Sequence, residues 1–223
     1  MDYSTDRPIN KSEEDLLGRA SFSKYLGEAI YKYKGSDGLV IGLFGKWGTG
    51  KTSIINMAKE EIEKQSENDE NRPIIMDFSP WNYSDKNDLI SLFFQSLKSK
   101  FDLEKNEKLE KDFGEALSNY AEAFELLSIV PMFGSGLAKL LKIIAKSEGN
   151  NLMKIPDLDS TKKKLEEKLR DSEQKIIIVI DDIDRLTNPQ IRDIFQLVKQ
   201  VANFPDIIYI LSMDREVVSR ALE

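Results

Sequence analysis

Two short stretches of this chain carry side chains and backbone able to handle phosphate and metal chemistry. The first is Gly45-Lys46-Trp47-Gly48-Thr49-Gly50-Lys51-Thr52, which fits the pattern G-x-x-x-x-G-K-[ST]. Phosphate oxygens need several backbone N–H donors converging on one point, so the chain there must curl tightly with little side-chain bulk. Gly45, Gly48 and Gly50 permit that curl. A helix beginning near Lys51 aims its positive end at the same anion. Lys51 supplies a point charge for the β- and γ-phosphates, and the Thr52 hydroxyl suits Mg²⁺. Lys46, Trp47, Thr49 and the following Ser53 complete the expected nucleotide-binding segment.

The second stretch is Ile176-Ile177-Ile178-Val179-Ile180-Asp181-Asp182. Five consecutive apolar residues read as a buried strand, and two carboxylates emerge at its C-terminal end, where open α/β sheets bind ligands. Asp181 is expected to hold Mg²⁺ through water. Asp182 is expected to orient or deprotonate an attacking water; the alternative is an Asp pair that merely caps the next turn. Arg185 either pairs with Asp182 or Asp184 or reaches the γ-phosphate of a neighbouring subunit. Farther on, Ser212 or Asp214 is placed to sense the γ-phosphate, with helix capping as the alternative for Asp214.

Composition narrows the chemistry further. The chain of 223 residues has no cysteine and no histidine. Disulfides, thiolate nucleophiles, the usual zinc sites and the Ser/His or Cys/His pairs are therefore unavailable. A metal here must sit among oxygen ligands, which favours Mg²⁺. The net charge of −7 disfavours a general polyanion-binding surface, so nucleic acid is not an expected partner. Apolar residues at 40% allow a packed core and charged residues at 32% suit a wet surface. The polar, acidic start MDYSTDRPINKSEEDLL does not resemble a secretory signal, so a cytoplasmic location is expected, with the inner face of the membrane as a peripheral alternative.

The elements that must hold these residues follow from periodicity. Residues 1–12 read as a loose arm, and helical spacing runs from Glu13 to Lys34. Strands are expected at Leu39–Phe44, Pro73–Phe78, Ile176–Ile180 and Ile207–Leu211. Helices are expected at Ser53–Lys64, Leu89–Phe101, Lys108–Ser128, Ser160–Asp171 and Asn188–Ala202, with another starting near Arg215. The fold class is α/β: a three-layer P-loop NTPase with a mostly parallel sheet and a helical insertion between the Walker A and Walker B motifs. The NTPase domain is expected over 13–223, with the insertion at about 102–160. Ending just after the fourth strand, the chain reads as part of a longer protein.

These residues resemble the KAP family of P-loop NTPases. Five segments carry the likeness: Glu14-Asp15-Leu16-Leu17-Gly18-Arg19, the loop from Phe44 to Ser53 with its internal Trp47, Phe78-Ser79-Pro80-Trp81, Asp181-Asp182-Ile183-Asp184-Arg185-Leu186, and Tyr209–Val217. The family is grouped with the additional-strand division, near the AAA+ and STAND classes. The resemblance implies a strand between the P-loop strand and the Asp181 strand, assigned here to Ile207–Leu211. It also implies that the Asp15–Arg19 segment lies near the adenine, with an ordinary helix start as the alternative for that segment. Bacterial members are often linked to phage defence, and others act as membrane-associated scaffolds.

Many members carry transmembrane helices between the two motifs. Here Phe124–Ala145 contains Glu125, Lys139 and Lys142 and is interrupted by Pro131, Gly134 and Gly136. A spanning helix needs about 20 apolar residues with few charges. Two short helices packed on the NTPase core, or a partner-binding or interfacial helix, fit better. The expected ligands are ATP and Mg²⁺, and the expected activity is ATP hydrolysis acting as a switch or motor of a larger protein. The alternative is a nucleotide-holding module without turnover. Self-association or a protein effector is expected to read its state. A GTPase is disfavoured, since no Asn-Lys-x-Asp segment follows in a suitable place.

Overall fold

The computed structural model describes residues 7–35, 37–83, 89–103, 114–121, 158–201 and 204–223. The chain divides into two compact units, one formed by Met1–Ile90 with Glu173–Glu223 and the other by Ser91–Ser172.

The first unit is built on a four-stranded parallel sheet among the described residues. Its strands are β1 (Leu39–Phe44), β2 (Ile74–Phe78), β3 (Ile176–Ile180) and β4 (Ile207–Met213), in the order β1-β4-β3-β2. The β4 strand therefore lies between β1 and β3, as the resemblance implied for Ile207–Leu211. Phe44 stands opposite Met213, so β1 and β4 end together, whereas β3 ends at Ile180 opposite Leu211 and is continued toward the same edge by Asp181 and Asp182.

Helix α1 (Ala20–Lys32) and helix α2 (Lys51–Gln65) pack on one face. There Ile30, Ile55 and Ile62 meet Ile177, Val179, Ile208 and Ile210 in one buried cluster. Each such side chain removed from water contributes roughly 1.5–3 kcal/mol. The two helices cross at Gly27, where a Cβ would stand 2.6 Å from the Ala58 carbonyl oxygen. Chain handedness assigns the other face. From β1 to β2 the chain travels one way along the sheet with α2 as crossover, whereas from β3 to β4 it steps back. A right-handed crossover then puts helix α6 (Asn188–Val201) on the face opposite α2. Its buried residues Ile191, Ile194 and Leu197 recur at helical spacing. Helix α7 (Arg215–Leu222) follows β4, with Val218 and Ala221 buried. With both faces covered, β3 and β4 are buried at every position. This is the three-layer α/β arrangement expected from the alternating elements.

The second unit contains most of helix α3 (Leu89–Leu103), the helical residues 114–121 (α4) and helix α5 (Leu158–Ser172). Phe93, Leu97 and Phe101 form a buried stripe on α3. Phe94 meets Tyr120 edge to face with ring centroids 5.7 Å apart. Burial pushes the Tyr120 hydroxyl up to about 12. This unit is wider than the expected insertion at 102–160, because α3 and α5 cluster with it. The paired short helices read over Phe124–Ala145 lie outside the described residues, as does most of Lys108–Ser128. Among the described residues, no helix is long and apolar enough to cross a membrane.

Of the loose arm read over residues 1–12, residues 1–6 lie outside the described residues, and Ile9 and Ser12 are held against α2. Ile9 donates its N–H to Ser53 Oγ at 3.2 Å, and Asn56 Nδ2 donates to the Ile9 carbonyl at 3.1 Å. Ser12 donates its N–H and hydroxyl to Glu60 at 2.8 and 2.7 Å. Ser53, Asn56 and Glu60 recur at helical spacing along one face of α2, so a polar strand of chain finds a row of partners there.

Candidate functional site

The phosphate loop leaves β1 under tight backbone control. Gly45 donates its N–H to the Met213 carbonyl at 3.1 Å, extending the β1–β4 pairing by one residue. Gly48 (φ +74°) and Gly50 (φ +80°) take left-handed conformations that strain any residue with a Cβ. Between them Thr49 turns back, its N–H and hydroxyl both donating to the Lys46 carbonyl, at 3.2 and 2.7 Å. Gly50 is the N-cap of α2 and brings no side chain to cap it. The first N–H groups of that helix therefore stay open to an anion. Lys51 curls over the loop, donating its ammonium to the carbonyls of Gly45 at 2.8 Å and Lys46 at 3.3 Å. Lys46 and Trp47 are exposed on the loop, the latter at 73%.

The acidic end of β3 is built differently. Ile183 and Leu186 are buried, and they pin a single 3-10 turn, Ile183–Arg185, to the core. The polar residues between and before them are left to face outward. Thr187 and Gln190 form a capping box that then starts α6, with Gln190 accepting from the Thr187 N–H at 3.1 Å. The turn after β2, Pro80–Tyr83, packs beside the Ile183–Arg185 turn. The Phe78-Ser79-Pro80-Trp81 text thus abuts the acidic turn.

One contact joins the two halves. Thr52 Oγ1 donates to Asp181 Oδ2 at 2.8 Å across 129 residues of sequence. The other oxygen, Oδ1, accepts the Asp182 N–H at 2.8 Å. Asp182 takes a left-handed backbone (φ +59°), and its carboxylate pairs with Arg185 Nε at 2.8 Å. Partial burial, reinforced by the neighbouring Asp181, raises the Asp182 carboxyl above the ordinary carboxylate range despite the opposing pull of Arg185. Of the two carboxylates its sequence offered, Arg185 pairs with Asp182. Asp184 accepts the Asp214 N–H at 3.2 Å, tying the turn to β4.

The remaining sequence candidates fall in distinct places. Asp214 is the N-cap of α7, its Oδ1 accepting the Glu216 N–H at 2.8 Å, which is the capping role. Ser212 is fully buried on β4, and its hydroxyl has no hydrogen-bond partner among the described residues. Ser53 turns its hydroxyl to Ile9. Arg19 donates Nη1–H to the Thr49 carbonyl, bringing the Leu17-Gly18-Arg19 text to the loop itself. Sequence reasoning missed that last contact and the strap over α2, since no spacing rule links residues so far apart.

The donor set at Thr52 and Asp181 consists of hard oxygens. Among the described residues, no group of three or more carboxylates forms a ready-made metal cage. Mg²⁺ suits this arrangement, because it takes one or two protein oxygens together with substrate phosphates and water.

The description "KAP family P-loop domain" matches residues 19–223. The phage T7 exclusion protein of Escherichia coli (strain K12) is 24% identical over 237 residues, covering 98% of this chain and 31% of that protein. The chain thus spans about a third of that relative's length. Among solved structures, the ORC2 protein of Aeropyrum pernix, in ADPNP–ADP complexes, aligns over 94% of this chain and 44% of its own. That likeness has a TM-score of 0.44 at 10% identity.

Proposed function

The chain belongs to the KAP family of P-loop domains, and from that premise we propose that it binds ATP with Mg²⁺ and hydrolyses the γ-phosphate, acting as a switch within a larger protein. The observation that carries this is the Thr52–Asp181 hydrogen bond, which brings the phosphate loop and the acidic strand end to one point. In this reading the N–H groups of the loop and of the first turn of α2 cradle the phosphates. Lys51 exchanges its loop carbonyls for phosphate oxygens. Thr52 and Asp181 hold Mg²⁺, which neutralises charge on the β- and γ-phosphates when bound. Asp182 orients the attacking water and accepts its proton. Ser212, a buried hydroxyl one strand from the loop, contacts the γ-phosphate or a water beside it.

Phosphate release measured on purified protein tests this. Lys51→Ala is expected to abolish binding, and Asp182→Asn to slow turnover while sparing binding. Wild-type turnover in Asp182→Asn would remove Asp182 from the mechanism.

A second reading is a nucleotide-holding module with negligible turnover, acting as a scaffold. The Arg185–Asp182 ion pair favours it, because a carboxylate already engaged is slow to take a proton. Tight ATP binding without phosphate release, even in the assembled protein, would select it. For biological setting we propose phage exclusion, supported by the relative that carries that name. A protein effector or a second copy would read the nucleotide state.

A further inference from the structure

Arg19 stands at a closure point of the first unit. Just upstream, Asp15 accepts the N–H of Leu17 at 3.0 Å and of Ala20 at 2.7 Å, folding residues 15–20 into a compact turn. Those two bonds hold the Asp15 carboxyl below its ordinary range, backbone donation from Ala20 being the larger cause. Downstream, the Arg19 carbonyl accepts from both the N–H and the hydroxyl of buried Ser23, at 3.0 and 3.1 Å. Helix α1 is then fixed to α2 at Gly27, where no Cβ fits. Since α2 begins one residue after Gly50, the path from loop to α2 to α1 to Arg19 returns to the loop.

The return is made by the guanidinium. It donates to the Thr49 carbonyl and lies over Gly50, where a Cβ would stand 2.6 Å from Nη1. The Thr49–Gly50 peptide is trans. In a trans peptide the C=O and the following N–H point in opposite directions. The Gly50 N–H therefore points away from the side on which the guanidinium meets the Thr49 oxygen.

We propose that Arg19 is a positioning residue for the phosphate loop, fixing the Thr49–Gly50 peptide plane so that its N–H is already aimed at the bound phosphates. This rests on the nucleotide-binding reading given above. It differs from a contact with adenine in one decisive respect. A residue that sets the loop acts on every ligand bearing the same phosphates, whatever the base.

The test uses Arg19→Ala and Arg19→Lys, with affinities for ATP, GTP and inorganic triphosphate measured by titration. Trp47 and Trp81 are the two tryptophans of the chain. A Trp81→Phe background therefore makes emission a report on Trp47 within the loop. Arg19→Ala is expected to weaken all three ligands by a common factor of about ten, as for loss of one charge-assisted hydrogen bond. It should also change Trp47 emission before any ligand is added. Arg19→Lys, which keeps a cationic donor, should restore part of both.

Loss confined to ATP, with inorganic triphosphate unaffected, would assign Arg19 to the base and overturn the inference. Unchanged affinities and emission would overturn it too. Should Arg19→Ala fail to fold, Arg19→Lys decides by the same two readouts. Wild-type protein that binds none of the three ligands would instead overturn the nucleotide reading itself, and this inference with it.

Discussion

The phosphate loop and the acidic end of β3, the two halves of the proposed site, lie two strands apart and are held by different kinds of interaction. Within the loop, partners are close in sequence. Thr49 bonds Lys46, and Lys51 bonds Gly45 and Lys46. The loop is exposed enough that Trp47 is 73% accessible. The acidic end hangs on a strand buried at every residue, and its turn is pinned by Ile183 and Leu186. In the proposed reading the loop serves affinity, its groups exchanging one set of partners for another. In the same reading the acidic end serves turnover, its groups held in place by the buried strand. Perturbing each half should give different kinetic signatures, and the largest effects separate them most cleanly.

The largest effect is expected from Asp182→Asn, which keeps shape and removes the proton acceptor. Turnover should fall about a thousandfold, within the span of general-base contributions, while the Kd for ATP stays within about twofold. Single-turnover phosphate release with parallel equilibrium titration reads both. Equal losses in the two measurements would erase the division between the halves.

Next comes Lys51→Ala, where affinity should fall about a hundredfold or more, as charge-assisted contacts to phosphate disappear. Calorimetric titration checks it. Thermal stability without ligand should change little, because among the described residues Lys51 bonds only loop carbonyls. A large loss of stability would mean that the loop is as structural as the strand end.

Asp181→Asn tests the junction of the halves. It keeps a hydrogen-bond acceptor for Thr52 but removes a charged metal ligand, so the Mg²⁺ concentration needed for half-maximal turnover should rise about tenfold or more. A Mg²⁺ titration at saturating ATP reads it. An unchanged midpoint would show that Asp181 positions Thr52 without holding metal.

The smallest expected effect is on pH dependence. The Asp182 carboxyl is raised by burial and by Asp181, and Arg185 opposes that rise. A raised acid stays protonated to higher pH, so turnover should fall on acidification at a pH above the ordinary Asp value of 3.8. Arg185→Ala removes the opposing charge and should move this acid limb higher still, with a loss of a few-fold in turnover at neutral pH. ATP affinity should not share the Arg185-dependent shift. A limb that moves down in Arg185→Ala would reverse the assigned sign.

Much of the frame was legible because each signal is local. A six-residue apolar run before a Gly-rich loop gives β1 at Leu39–Phe44, and the Ile/Val run gives β3 at Ile176–Ile180. The helical spacing read from Asn188 gives α6, which begins at that residue. Helix ends shifted by a residue or two, as with α2, which begins at Lys51 rather than Ser53. Other features were illegible for a physical reason. Ser53 reads as part of a nucleotide segment, yet its hydroxyl meets Ile9 because a polar arm lies along α2. Arg185 had two carboxylates within reach in sequence, Asp182 and Asp184, and the 3-10 turn Ile183–Arg185 brings it to Asp182. Asp214 could sense phosphate or cap a helix, and the start of α7 directly after β4 gives it the cap.

The sequence alone determined which groups are present and which chemistry is excluded. Without cysteine or histidine, and with Gly45–Thr52 preceding a strand end bearing two aspartates, phosphate and a hard cation were the natural ligands. That information is covalent or lies within one turn or strand, so it survives without long-range contacts. The tertiary structure decided how Thr52 meets Asp181, how Arg19 reaches Thr49, and which carboxylate Arg185 engages. The first two depend on strand order and on the α1–α2 crossing, because hydrophobic burial sets those packings and is indifferent to which polar groups it brings together.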